Sequence, residues 1–151
     1  MRKFLTLLFF SLSTIISYAQ CNFGAIESSA VNKIGKYIEI KSYNFDVHQL
    51  GSTKEIEYSY VLGKDKEYVF SINNENTANP KIIITLYNNN KKAIASNYNE
   101  KTGTYNSTFF YKCPATKLYY ITFTVKDEST CATCVIGFKA SSSEKIKAQN
   151  W

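Results

Sequence analysis

The chain has 151 residues, with 4 Cys, 1 His, 1 Trp, 10 Phe and 12 Tyr, and a formal net charge of +6. At this length one domain with one sizeable core is expected. Hydrophobic residues at 44%, charged residues at 20% and only 2 Pro exclude a disordered, collagen-like or Pro-rich chain.

Arg2 and Lys3 precede an apolar run from Phe4 to Ile16, and Ser17-Tyr18-Ala19 then sets small residues around a cut. This is the layout of a secretory signal peptide over residues 1–19, with Gln20 as the new N-terminus. The run is 13 residues long, short of the about 20 that cross a bilayer. Lipoprotein processing before Cys21 needs a small residue ahead of the Cys, and Gln20 is not small. The mature chain is expected to be secreted or periplasmic, with no membrane span. Losing residues 1–19 removes Lys3 and Arg2, the only Arg, and lowers the charge to +4. Lys cannot make the two-pronged contact of Arg to phosphate or guanine, and these Lys are scattered, so a nucleic-acid role is excluded.

Residues 20–36 read as an N-terminal segment with a short helix. Phe23, Ile26, Ala30, Val31, Ile34 and Ile38 recur near helical spacing, which predicts a helix over roughly 24–35 ended by Gly35. From there to residue 140 the period is two. Ile38 and Ile40, then Tyr43, Phe45 and Val47, then Ile56, Tyr58, Tyr60 and Leu62 alternate with polar residues. Tyr68, Phe70 and Ile72 follow, then Ile82, Ile84 and Leu86, then Phe109 and Tyr111. Tyr119, Ile121, Phe123 and Val125 come next, and Ile136, Phe138 and Ala140 close the series. Turn-like breaks fall at Leu62–Lys66, Asn73–Pro80, Asn88–Lys91, Asn97–Asn106, Cys113–Thr116 and Asp127–Thr130. About eight half-buried antiparallel strands at this spacing predict a sandwich or barrel over 37–140. Tyr68, Phe70, Ile84, Leu86, Ile121, Phe123 and Phe138 are expected to face inward. Residues 141–151 form a polar tail.

Tyr68–Ile72, Ile84–Asn88, Ala93–Asn97 and the Ala115-Thr116 pair before Tyr119-Tyr120-Ile121 resemble the strand pattern of bacterial pre-peptidase C-terminal domains. The likeness covers roughly residues 54–140. It implies a jelly-roll-like β-sandwich, and some relatives bind collagen or glycans. Lys117 stands where that family commonly has Gly after the Ala-Thr pair. The clustered acids of its calcium-binding members are not found in this sequence. The leader ending in Ala-Gln is similar to those of secreted Bacteroidota proteins.

His48, the single His, excludes multi-His zinc sites and HExxH chemistry. By alternation it shares a face with Asn44 and Asp46, which reads as an exposed strand position. No GxSxG elbow or P-loop is present. Glu55/Glu57 and Asp65/Glu67 are two apart among Lys54, Lys64 and Lys66, the pattern of a solvated face. Asp127-Glu128 offers few ligands to a Ca²⁺ ion wanting 6–8 oxygens. No metal and no cofactor is expected.

Cys131-Ala132-Thr133-Cys134 is a CxxC, but strand-like Val135–Phe138 follows it where a redox motif would open a helix. Structural disulfides are therefore expected among Cys21, Cys113, Cys131 and Cys134. If the strands run as consecutive hairpins, Cys113 lies at the far end of a strand from Cys131 and Cys134, beyond bridging distance. That leaves Cys21–Cys113 and Cys131–Cys134, provided that residues 131–134 are not regular strand.

Tyr98, Tyr105, Tyr111 and Tyr120 lie near loops or on the less apolar strand faces. Exposed Tyr beside Asn suits stacking on sugar rings, and they are the candidate ligand-binding residues. The expectation is an all-β, antiparallel, jelly-roll-like sandwich with a short N-terminal helix. It would act as a secreted, non-enzymatic binding module for an extracellular glycan or protein. The alternatives are a structural or assembly protein of the cell envelope, or a small CxxC thiol–disulfide exchange protein.

Overall fold

In the computed structural model, residues 21–46, 55–74, 81–126 and 131–139 are described. The leader, His48, Asp127-Glu128, Ala140 and the polar tail lie outside the described residues. Helix α1 spans Phe23–Ile34, with the Asn22 side chain accepting from the Ala25 N–H at 3.2 Å. Gly35, at φ 58°, ends it in a conformation that costs a side-chain-bearing residue. Ten strands follow: β1 Ile38–Asp46, β2 Glu55–Leu62, β3 Glu67–Asn74, β4 Ile82–Tyr87, β5 Ala93–Ser96, β6 Tyr98–Asn99, β7 Thr104–Tyr105, β8 Thr108–Lys112, β9 Lys117–Val125 and β10 Cys131–Lys139.

Eight of these form two four-stranded sheets, ordered β1-β10-β3-β8 and β2-β9-β4-β5, and β6-β7 is a separate two-stranded ribbon. Every pairing is antiparallel. The pairs β1/β10, β2/β9, β3/β8 and β4/β5 are nested in sequence, so the chain is a four-pair ribbon rolled over itself. That is the jelly-roll arrangement. Apart from β4 and β5, successive sandwich strands change sheet, where simple hairpins were expected.

The core lies between the sheets. Phe45, Phe70, Ile72 and Ile136 of the first sheet meet Ile84, Leu86, Ile121 and Phe123 of the second. Phe70 stacks on Phe109 at 4.7 Å, and Phe123 sits 5.0 Å from Phe45 and 5.3 Å from Tyr43. All seven expected inward residues join this core, with Phe138 partly buried at its margin. Ile38 and Ile40 do not: they are 62% and 43% exposed. A register shift between Glu39 and Lys41 resets the alternation, and only from Tyr43 on does β1 point its apolar residues inward.

The outer face of the first sheet is covered by α1, through Ala30 and Ile34 against Val69 and Val135. Gly137 permits the close approach, because a Cβ there would stand 3.1 Å from both Ile34 Cδ1 and Val69 Cγ1. Ser42 donates to Glu27 at 2.6 Å and Lys33 to Asn73 at 2.8 Å, fixing the helix at two further points.

Five tyrosines have phenolic protons held more tightly than in an unfolded chain, Tyr105 of the β6–β7 ribbon among them. Burial raises Tyr43, with its hydroxyl hydrogen-bonded to Tyr60 as a second cause. Burial likewise raises Tyr119, beside Cys113 and Tyr111, and Tyr68. Burial and then the Glu67 carboxylate push Tyr37 up to about 12. The unfolded chain therefore releases these protons first. Stability should be level up to about pH 8, fall as the buried Cys134 thiol, also raised by burial, ionises more readily in the unfolded chain, and fall more steeply above about pH 10 as the tyrosines follow. Denaturant midpoints measured against pH, alongside phenolate absorbance, check this. Midpoints that stay level while every tyrosine ionises would contradict it.

Candidate functional site

The helix leaves the second sheet as the one with an uncovered outer face among the described residues. On β4, Ile82, Ile84 and Leu86 are buried, so Ile83, Thr85 and Tyr87 point outward. On β9, Tyr120, Thr122 and Thr124 share that outer face, in register with Tyr87, Thr85 and Ile83. Beyond β5 the chain rises into the β6–β7 ribbon, which walls the sheet face at its edge. The result is a groove of about 700 Å³. Ile83, Thr85, Tyr87 and Thr124 make its floor and Tyr98 and Tyr105 its wall. Ala93, Ile94, Ala95 and Ser96 of β5, with Glu55, Glu100 and Lys126, complete the lining.

The wall is held by Asn97, which is 1% exposed. Its side-chain oxygen accepts from the Ile84 N–H at 2.8 Å. Its amide donates to Ile82 O at 2.9 Å and to Asn106 O at 3.2 Å. Its backbone N–H donates to Ile84 O and its carbonyl accepts from Asn106 N–H. One residue thus joins β4 to both ends of the ribbon. At the tip, the Gly103 N–H donates to Asn99 O at 2.8 Å, with Gly103 at φ 68°. Across the ribbon Tyr98 pairs with Tyr105, and their rings lie 4.7 Å apart at 45°. Burial, and then Tyr98, raise the Tyr105 pKa.

Of the four tyrosines singled out by sequence, the structure brings Tyr98 and Tyr105 together and separates the other two. Tyr120 is on the same sheet face, next to Tyr87, but the Lys91 ammonium stands 3.3 Å from its ring centre. Lys91 is held there by Glu57 at 2.5 Å. Tyr111 belongs to the other sheet, packs against the core and meets Tyr119 edge-on at 5.8 Å. It borders a smaller recess of about 210 Å³ with Asn88, Asn89 and Pro114. Thr85, Tyr87 and Thr124 were not singled out. Alternation along β4 and β9 already places them opposite the core, which is the signal that finds them. Nothing local marks Asn97 as buried.

The expected disulfide map is corrected. Cys21 bonds Cys131, with Cα atoms 5.5 Å apart, while Cys113 and Cys134 are buried thiols. The CxxC lies in β10, so Cys131 and Cys134 point to opposite faces. Cys134 enters the core and Cys131 turns to the side on which Cys21 precedes α1. Cys113 sits where the chain passes from β8 in one sheet to β9 in the other, near Ala115 O and the Tyr119 hydroxyl. Burial pushes the Cys134 thiol well up. That is the reverse of what a CxxC exchange reaction needs. No group of three His, Cys, Asp or Glu suited to a metal occurs among the described residues, and no helix there is long and apolar enough to cross a membrane.

No protein-family model matches the chain, and no curated protein matches it. Among solved structures it is similar to PliG of Aeromonas hydrophila, a periplasmic inhibitor of g-type lysozyme. The TM-score is 0.45 and the identity 11%, over 69% of this chain and 89% of that one.

Proposed function

We propose that this chain is an exported binding protein that holds an extracellular glycan or protein in the groove between the second sheet and the β6–β7 ribbon. The observation that carries this reading is the Tyr98–Tyr105 pair, fixed over a hydroxyl-bearing floor by the buried Asn97 joint. Ligand grooves characteristically combine aromatic walls with a few well-placed polar groups. The Cys21–Cys131 disulfide supports export, since such bonds persist in oxidising compartments. The residue inventory, with one His and no Arg beyond Arg2, supports a binding role over catalysis. Kinship with the pre-peptidase C-terminal domains belongs to the same proposal and rests on the strand pattern.

Protein recovered from the periplasm or culture fluid should begin at Gln20. Hydrogen exchange in the presence of extracellular polymer and protein fractions should slow along β4, β5 and the β6–β7 ribbon. Protection confined to the α1 side of the molecule would place the ligand elsewhere and overturn the groove as the site.

A further inference from the structure

Resting on that groove as the binding site, we infer that its ligand is a neutral oligosaccharide chain, with a sugar ring packed on the Tyr98–Tyr105 wall. A pyranose has an apolar C–H face and a polar edge, and it needs both kinds of partner within one ring's width. The groove supplies them together: tyrosine rings 4.7 Å apart on one side and the Thr85 and Thr124 side chains on the floor. Tyr offers a large, stiff, amphipathic contact at low entropic cost. The ribbon that carries both rings is fixed to β4 through Asn97, so little ordering remains to be done on binding.

Charge decides against an acidic polysaccharide. Glu55 and Glu100 stand against Lys126 alone in the lining. No Arg follows Arg2 to grip a carboxylate or sulfate in two-pronged fashion. Size favours a chain over a single sugar, because an open groove of about 700 Å³ has room for several rings. The floor decides against a protein surface. Protein interfaces bury about 800 Å² per partner around an apolar centre, whereas this groove intersperses the hydroxyls of Thr85, Ser96 and Thr124 among Ile83, Tyr87 and Ile94.

The test titrates the mature chain with cellohexaose, xylohexaose and mannohexaose as neutral probes, and with hexagalacturonate and a hyaluronan hexasaccharide as acidic ones. Binding is followed by calorimetry and by amide chemical shifts. At least one neutral hexaose should bind, shifting Thr85, Thr124 and the ribbon. Tyr98→Ala and Tyr105→Ala should each weaken it by about tenfold or more. Tyr98→Phe, which keeps the ring, should stay within about threefold of wild type. Thr124→Val should weaken binding with the thermal midpoint unchanged, so the conclusion does not depend on how the ribbon tolerates alanine. No neutral binding, tighter binding of an acidic probe, or binding indifferent to all four variants would overturn the sugar assignment. A protein ligand protecting the same groove and lost in Tyr98→Ala would overturn the sugar and keep the site. Protection elsewhere would remove both.

Discussion

Replacing Cys21 and Cys131 together by serine is expected to lower the free energy of unfolding by about 4 kcal/mol. The bond joins residues separated by 110 positions. A cross-link of that span removes a large part of the unfolded chain's freedom, worth about 4.7 kcal/mol on loop-closure grounds for a loop of about 100 residues. Its absence leaves α1 held by Ala30 and Ile34 on Val69 and Val135 and by the Glu27–Ser42 and Lys33–Asn73 hydrogen bonds. Part of the loss should therefore appear first as detachment of the helix, ahead of the sandwich. Denaturant unfolding of the double variant and the oxidised wild type measures the difference. Peptide mapping should find Cys21 joined to Cys131, and Cys113 and Cys134 alkylated only after denaturation. A difference below about 1 kcal/mol, or a peptide joining Cys113 to Cys131, would refute the account.

Asn97→Ala should cost about 3 kcal/mol or more, a large value for a residue in a polar stretch. The side chain satisfies three backbone groups, two of them buried, Ile84 N–H and Ile82 O, and the third, Asn106 O, at the surface end of the joint. Alanine leaves all three without that partner, and each unmet buried group costs about 1–3 kcal/mol before relaxation. Asn97→Asp should be no better at neutral pH. It keeps an acceptor for Ile84 N–H but has no donor for the two carbonyls, and it buries a charge. Urea unfolding gives the magnitude, and amide exchange at Ile84 gives the place. An alanine variant within about 1 kcal/mol of wild type, with Ile84 still protected, would show that the joint is not what holds the ribbon.

Burial periodicity made most of the sandwich readable. β3, β4 and β9 each carry apolar residues on alternate positions, and each faces the core as that pattern requires. The helix was expected at 24–35 and is found at Phe23–Ile34, because its apolar positions and terminal Gly35 are local signals. Where a tertiary feature overrides a local one, the reading failed. In β1, Ile40 is the extra residue at the register shift and Ile38 lies beyond it at the strand's exposed end, so neither enters the core. The Asn88–Lys91 turn is present as expected, with its positive φ on Lys91 rather than on an Asn. Asn88 instead uses its side chain, accepting from Asn90 N–H and Lys92 N–H. The cysteine pairing depended on which strands share a sheet, and strand order is not written in alternation. The candidate site was half legible. Tyr98 and Tyr105 could be named but not joined, since their pairing comes from a two-residue ribbon inside what reads as a polar loop.

The nesting of strand pairs also bears on when the chain can fold. Among the described residues β1 has one sheet neighbour, β10, and that neighbour is the last strand there. The first sheet therefore cannot close until Cys131–Lys139 is available, and the disulfide partner of Cys21 arrives with the same segment. Contacts this distant in sequence form slowly, because the loop must be closed before any of them is gained. A chain emerging N-terminus first is thus expected to stay open and threadable for most of its length, with tertiary closure and oxidation falling together at the end. On the proposed export of this chain that delay has a use: it keeps the polypeptide passable through a narrow translocation channel and reserves folding for the far side.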